Sequence, residues 1–155
     1  MRWTFREEGP DLEFRAGQLA AKGPIVPIVI TGPGGRFRTS GLIDTGATFC
    51  AIKPKLAKRL ALKIVDRKRI SGVAPSGTGS QADGEADVAF GMVGLQDPPH
   101  DLPLQLIVAD FLLDAPSMSL LLGRSFLQNF DLFYEGSCGR FTLTRASGAL
   151  HGLDD

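Results

Sequence analysis

The sequence predicts a mainly β fold built as one compact domain, and three observations carry that reading. The chain has 155 residues, 43% of them hydrophobic, enough for one sizeable core and too few for two ordinary domains. Its 19 Gly and 10 Pro are spread along the chain and separate short apolar runs, which favours many turns between strands over a few long helices. Some of these runs are β-branched, as in Ile25-Val26-Pro27-Ile28-Val29-Ile30.

Taken in order, residues 1–22 read as an N-terminal extension in which Trp3, Phe5, Leu12 and Phe14 alternate loosely with charges, leaving room for one or two edge strands. The run 25–30 passes through Thr31-Gly32-Pro33-Gly34-Gly35 into 37–43 and forms a hairpin. The glycine cluster is not read as a phosphate cradle, because no Gly-Lys-Ser/Thr follows and no helical pattern begins there. Thr48 to Ile52 reads as a strand, and Pro54 opens a short helix from Lys55 to Leu60. Residues 69–72 and 85–90 flank Val73 to Asp83, a segment rich in Gly, Ser, Ala and Pro with few bulky anchors, which reads as a hairpin with a mobile tip. Leu102 to Val108 is another strand. Leu120-Leu121-Leu122 is an apolar strand ended by Gly123, after which Phe126, Leu127 and Phe130 share one face of a short helix. Asp131 to Tyr134, the turn 135–139 and Arg140 to Thr144 make a closing hairpin, and 146–155 reads as a flexible tail.

Charge excludes some partners. With 17 basic and 17 acidic residues the net charge is zero, which argues against the basic surface of a nucleic-acid binder. Eight basic residues lie between Lys53 and Arg69 against the single acid Asp66, read as a solvated helix face, with a docking patch for an acidic partner as the alternative. No apolar run reaches the roughly 20 residues that span a bilayer, and Met1 to Pro10 lacks a secretory stretch. With two scattered cysteines, the expectation is a soluble chain in a reducing cytoplasm, with no membrane partner. Cys50 reads as a small buried residue and not a nucleophile, since His100 and His151 have no evident triad partner. Two histidines and two cysteines make a zinc site improbable, and no Gly-x-Ser-x-Gly elbow is present. No metal or cofactor is expected.

The segment with chemical content is Asp44-Thr45-Gly46. Alone it is ordinary turn chemistry, and a structural turn residue in a β protein is the bland reading of Asp44. Its context is more specific. Leu42-Ile43 places the carboxylate at the end of a buried strand, Ala47-Thr48 leads into another, and about 75 residues on come Leu121-Leu122-Gly123 and a helix.

In this order and separation, Asp44-Thr45-Gly46-Ala47-Thr48 and Leu121-Leu122-Gly123-Arg124-Ser125-Phe126-Leu127 resemble the retropepsin-like, single-domain aspartic proteases, in their bacterial and cellular branch, over residues 23–145. The resemblance implies a small closed β-barrel with one or two short helices and a flap hairpin, here placed at Ile70 to Ala82. It also implies a homodimer acting on an extended peptide or protein, because the chain supplies one such aspartate. By the same resemblance Asp44, Thr45 and Gly46 are the catalytic turn. Ala47, Thr48, Ile52, Gly72, Val73 and Leu121 meet substrate, and Leu122, Gly123 and Arg124 support the turn. The chemistry has a physical basis without the family: two close carboxylates cannot both ionise, so one serves as base and the other as acid.

One departure stands out. Retroviral members generally carry an acid where this chain has Thr48, paired to the arginine equivalent to Arg124. That difference keeps open a rival reading, a catalytically weak or inactive dimeric peptide-binding or scaffold domain. A third reading is a protease active only when concentrated or fused to another domain.

Overall fold

The computed structural model describes residues 2–6, 23–71, 84–96, 99–110 and 118–146. Among these residues, ten strands and two short helices follow one another as β1 (Arg2–Arg6), β2 (Ile25–Gly32), β3 (Gly35–Ile43), β4 (Cys50–Ile52), α1 (Pro54–Arg59), β5 (Lys63–Ile70), β6 (Gly84–Gln96), β7 (Pro99–Val108), β8 (Met118–Leu122), α2 (Arg124–Leu127), β9 (Phe130–Glu135) and β10 (Arg140–Arg145). Among the described residues no helix is long and apolar enough to cross a membrane.

Six strands close a barrel in the order β2-β3-β8-β4-β7-β6, the last returning to β2. The closing strand is β6, whose 13 residues serve two neighbours on one side. Its first half, Gly84 to Phe90, pairs with β5, and its second half, Met92 to Leu95, pairs with β2. Along its other side β6 is bonded to β7 from Val88 to Gln96. The expected first hairpin is β2–β3, and the second is β5–β6, whose tip from Gly72 to Asp83 lies outside the described residues.

Period-two patterning places Val26, Ile28 and Ile30 inward from β2 and Met118, Leu120 and Leu122 inward from β8, all at or near zero exposure. All of these but Met118 join Ile43, Cys50, Ile52, Leu56, Leu60, Leu95, Leu106 and Phe126 in one core. The turn between β2 and β3 rests on the end of α1, where Gly34 N–H donates to Leu60 O at 2.8 Å. A side chain at Gly34 would meet the Arg59 carbonyl at 2.6 Å, which explains a glycine there.

A second sheet, β1-β10-β9, seals one end of the core. Trp3 meets Phe130 edge to face at 5.7 Å, Phe130 lies 4.9 Å from Phe126, and Phe5 stacks on Phe141 at 5.4 Å. Residues 2–6, read from sequence as part of an extension, therefore form a strand whose Trp3 is in the main core. The basic run also differs from its reading as a helix face. Lys55, Lys58 and Arg59 lie on α1, but Lys63, Arg67, Lys68 and Arg69 lie on β5, where nearly every side chain is exposed. A strand open to water on both faces needs no alternation of apolar residues, so the pattern that betrays half-buried strands is missing.

Candidate active site

The Asp44 turn is built by two strands that embrace a third. β3 runs parallel to β8, with Leu42 opposite Leu121 and Ile43 opposite Leu122. The chain then turns through residues 44–49 and returns as β4 on the other side of β8, antiparallel to it, with Ala51 opposite Leu121 and Ile52 opposite Leu120. β8 thus threads between the two arms of the loop that carries Asp44.

Backbone hydrogen bonds fix the crossing. Asp44 N–H donates to Leu122 O at 3.0 Å, Arg124 N–H to Ala47 O at 2.8 Å, and Ser125 N–H to Thr48 O at 3.1 Å. Within the turn, Gly46 N–H donates to Asp44 Oδ1 at 2.9 Å, and Ala47 N–H to Asp44 O at 3.3 Å. The first of these is an Asx-type contact that orients the carboxylate.

Gly123 permits this approach. Its φ of −83° is ordinary for any residue, so conformation does not demand glycine. Space does: an added Cβ would strike the Phe49 carbonyl oxygen and lie 2.8 Å from the Ala47 oxygen. The apolar-apolar-Gly signature therefore has a steric cause, since Leu122 fills the core while Gly123 lets the loop backbone lie against the start of α2.

Exposure sorts the remaining candidates. Asp44 is half-buried, Thr45, Gly46 and Thr48 are exposed, and Ala47 and Leu121 are half-buried, so all six reach the surface on one turn and the strand beneath it. Leu122 and Gly123 are buried and Arg124 is exposed. Ile52 was expected at a substrate pocket and is instead fully buried in the core. The reason is periodicity: Cys50 and Ile52 lie on the same face of β4, and that face is inward. Gly72 and Val73 lie outside the described residues.

Arg124 returns onto the loop, its Nη2 donating to Thr48 Oγ1 at 2.8 Å. Two contributors escaped sequence reasoning. Ser125 Oγ accepts from Cys50 N–H at 3.2 Å and meets the Cys50 thiol at 3.3 Å, tying the end of the loop to α2. Phe49 is 41% exposed with the Lys68 ammonium 4.8 Å above its ring, linking the loop to β5. Neither pairing has a local signal, since each joins residues far apart in sequence. Burial pushes the Cys50 thiol up from its ordinary range, against hydrogen bonds from Ser125 and nearby backbone. That fits the reading of Cys50 as a packed residue.

A single closed barrel presenting a carboxylate on a backbone-clamped Asp-Thr-Gly turn defines a protein of the acid-protease type. The chain belongs to the aspartyl protease family, in its retropepsin-like form, and the family's model matches residues 26–126, more than half of the chain. A solved retropepsin-like aspartic protease from Rickettsia conorii is similar in fold, with 14% identity and a TM-score of 0.56 over 92% of this chain and 89% of that one. A weaker likeness links the chain to an EIAV protease in complex with an inhibitor, at 19% identity and a TM-score of 0.43 over 76% of this chain and 92% of that one. The retroviral protease-like domain of Ddi1 from Leishmania major matches at 16% identity and 0.39, over 73% and 82%. No curated protein matches the sequence.

Proposed function

We propose that the chain is an aspartic endopeptidase acting as a homodimer, in which the Asp44 carboxylates of two copies meet across a two-fold axis and activate one water. The observation that carries this reading is the Asp44 turn, held by backbone bonds to Leu122 and Arg124 while its polar side chains face outward. Main-chain bonds carry most of the support, and the Gly46 N–H bond to Asp44 Oδ1 orients the carboxylate toward a second carboxylate and substrate. The chain contains one Asp-Thr-Gly, so a shared site needs a partner copy.

Two carboxylates brought together hold one proton between them. The ionised one takes a proton from the water as its oxygen attacks the peptide carbonyl. The protonated one donates a hydrogen bond to the carbonyl oxygen as charge develops on it. Protonation of the leaving amine then completes cleavage and returns the pair to its starting state. Thr45 is assigned to tie the two turns together, and Gly46 to keep the approach open. An added Cβ at Gly46 would sit 3.2 Å from Asp44 Oδ1 and crowd the carboxylate. The hairpin β5–β6, with Gly72 and Val73 beyond its described arms, is assigned to cover an extended peptide.

The test is Asp44→Asn, assayed by cleavage of a peptide library from acidic to neutral pH. Activity should fall by about a thousandfold or more, because both members of the pair change at once. Unchanged cleavage sinks the assignment. Specific activity of the native chain should also fall on dilution through the dimer dissociation range.

A further inference from the structure

The side chains of Arg124 and Thr48 take no part in the water-activating step proposed above. Arg124 N–H is bonded to Ala47 O, which sets its Cα against the Asp44 loop, and its guanidinium reaches back to Thr48 Oγ1 at 2.8 Å. Both side chains are exposed. Other arginines find carboxylates: Arg67 is 3.5 Å from Glu85 and 3.7 Å from Asp87, and Arg140 makes two bonds to Glu135 at 2.6 and 2.9 Å. Among the described residues, no carboxylate lies within ion-pair distance of Arg124.

A guanidinium has five N–H donors and no acceptor. One is committed to the Thr48 hydroxyl, a neutral acceptor that leaves the positive charge unbalanced. The hydroxyl, having accepted that bond, still has its own proton to donate. Arginine and threonine together therefore present a fork of N–H groups and an O–H beside the loop, which matches the two oxygens of a carboxylate.

We propose that Arg124 and Thr48 form a carboxylate-binding subsite that selects substrates with a Glu or Asp side chain near the cleaved bond. The inference rests on the endopeptidase reading for its substrate. Thr48 follows Asp44 by four residues, a stretch that spans at most about 14 Å. The acidic side chain accordingly lies within about four substrate residues of the scissile bond.

The experiment walks a single Glu, and separately a Gln, one position at a time along an otherwise uncharged apolar peptide. The Glu-to-Gln ratio of kcat/KM is measured for native protein, Arg124→Gln and Thr48→Asp. Binding of the same peptides to Asp44→Asn is measured in parallel by fluorescence anisotropy. At one or two positions Glu should be preferred by about five- to tenfold at low salt, less at high salt. The ratio should collapse to about one in Arg124→Gln. It should also collapse in Thr48→Asp, whose new carboxylate occupies the guanidinium from within the chain, so the test survives if the arginine variant fails to fold. A flat ratio at every position in native protein overturns the subsite, as does a preference that persists in either variant. Cleavage without acidic preference removes this inference and leaves the endopeptidase intact. Selective binding of the Glu peptides without cleavage by native protein supports the subsite and removes the endopeptidase. Neither binding nor cleavage of any peptide removes both.

Discussion

Between Asp44 and Cys50 the backbone exchanges hydrogen bonds with Leu122, Arg124 and Ser125, whereas among the described residues β5 is bonded along one edge, to β6. Side chains are exposed in both places, but exposure has a different meaning in each. On the loop, main-chain bonds and the missing Cβ of Gly123 fix the geometry, so Asp44, Thr45 and Thr48 are positioned and still accessible. On β5, Ile64 and Val65 are 49% and 43% exposed, and Arg67 with its two acidic neighbours lies in water, where such pairs contribute little. Among the described residues Ile70 of that arm packs on a small cluster of Ala86, Val88 and Ile107, with partly buried Ala51 and Ala109. The loop is therefore held from two sides, whereas the described part of β5 is held along one edge over a small apolar cluster.

The strongest way to break this contrast is Gly123→Ala. The new methyl would meet the carbonyls of Phe49 and Ala47, and this segment cannot retreat without breaking the bonds that Arg124 N–H makes to Ala47 O and Ser125 N–H makes to the intervening Thr48 O. A cost of about 5 kcal/mol is expected, with loss of any peptidase activity, read from denaturant unfolding and cleavage assays. A variant of native stability would show that the loop is not clamped as described.

Next in size is a matched pair of truncations. Phe126, fully buried under the loop at the start of α2, should cost about 3–5 kcal/mol as Phe126→Ala. Ile64→Ala on β5 removes apolar volume from an exposed strand and should change stability by no more than about 0.5 kcal/mol. Comparable losses from the two would dissolve the distinction between the regions.

These features were unequally legible in the sequence. The Asp44 turn and the Leu121-Leu122-Gly123 segment could be paired through the family resemblance, because each carries its own local signature, an aspartate in a turn and a glycine after two leucines. The pairing of β1 with β10 could not be read, since Trp3 finds Leu143 across the length of the chain and the strand signal in Arg2–Arg6 is short. β5 was hidden by its charges until Arg69, and Ile52 was assigned outward although alternation sets it beside inward Cys50. In the first case solvent on both faces erased the period. In the second the period was present and only the direction of the face was unknown.

The smallest predicted effect probes the loop from inside. Burial raises the Cys50 thiol above the ordinary value of 9.0, so the fold favours the protonated form. The unfolded chain begins to ionise near that ordinary value, and the folded chain only at higher pH. The associated stability is therefore complete below pH 9.0 and is lost as pH rises through the raised value. Unfolding free energy measured from neutral to alkaline pH should decline over that window, and Cys50→Ala should flatten the decline. Alkylation at neutral pH offers a second reading: exposed Cys138 should be modified directly, and Cys50 only when the barrel opens. An unchanged pH slope in Cys50→Ala, or equal alkylation of the two thiols, would mean that the end of the Asp44 loop opens as readily as the hairpin arm.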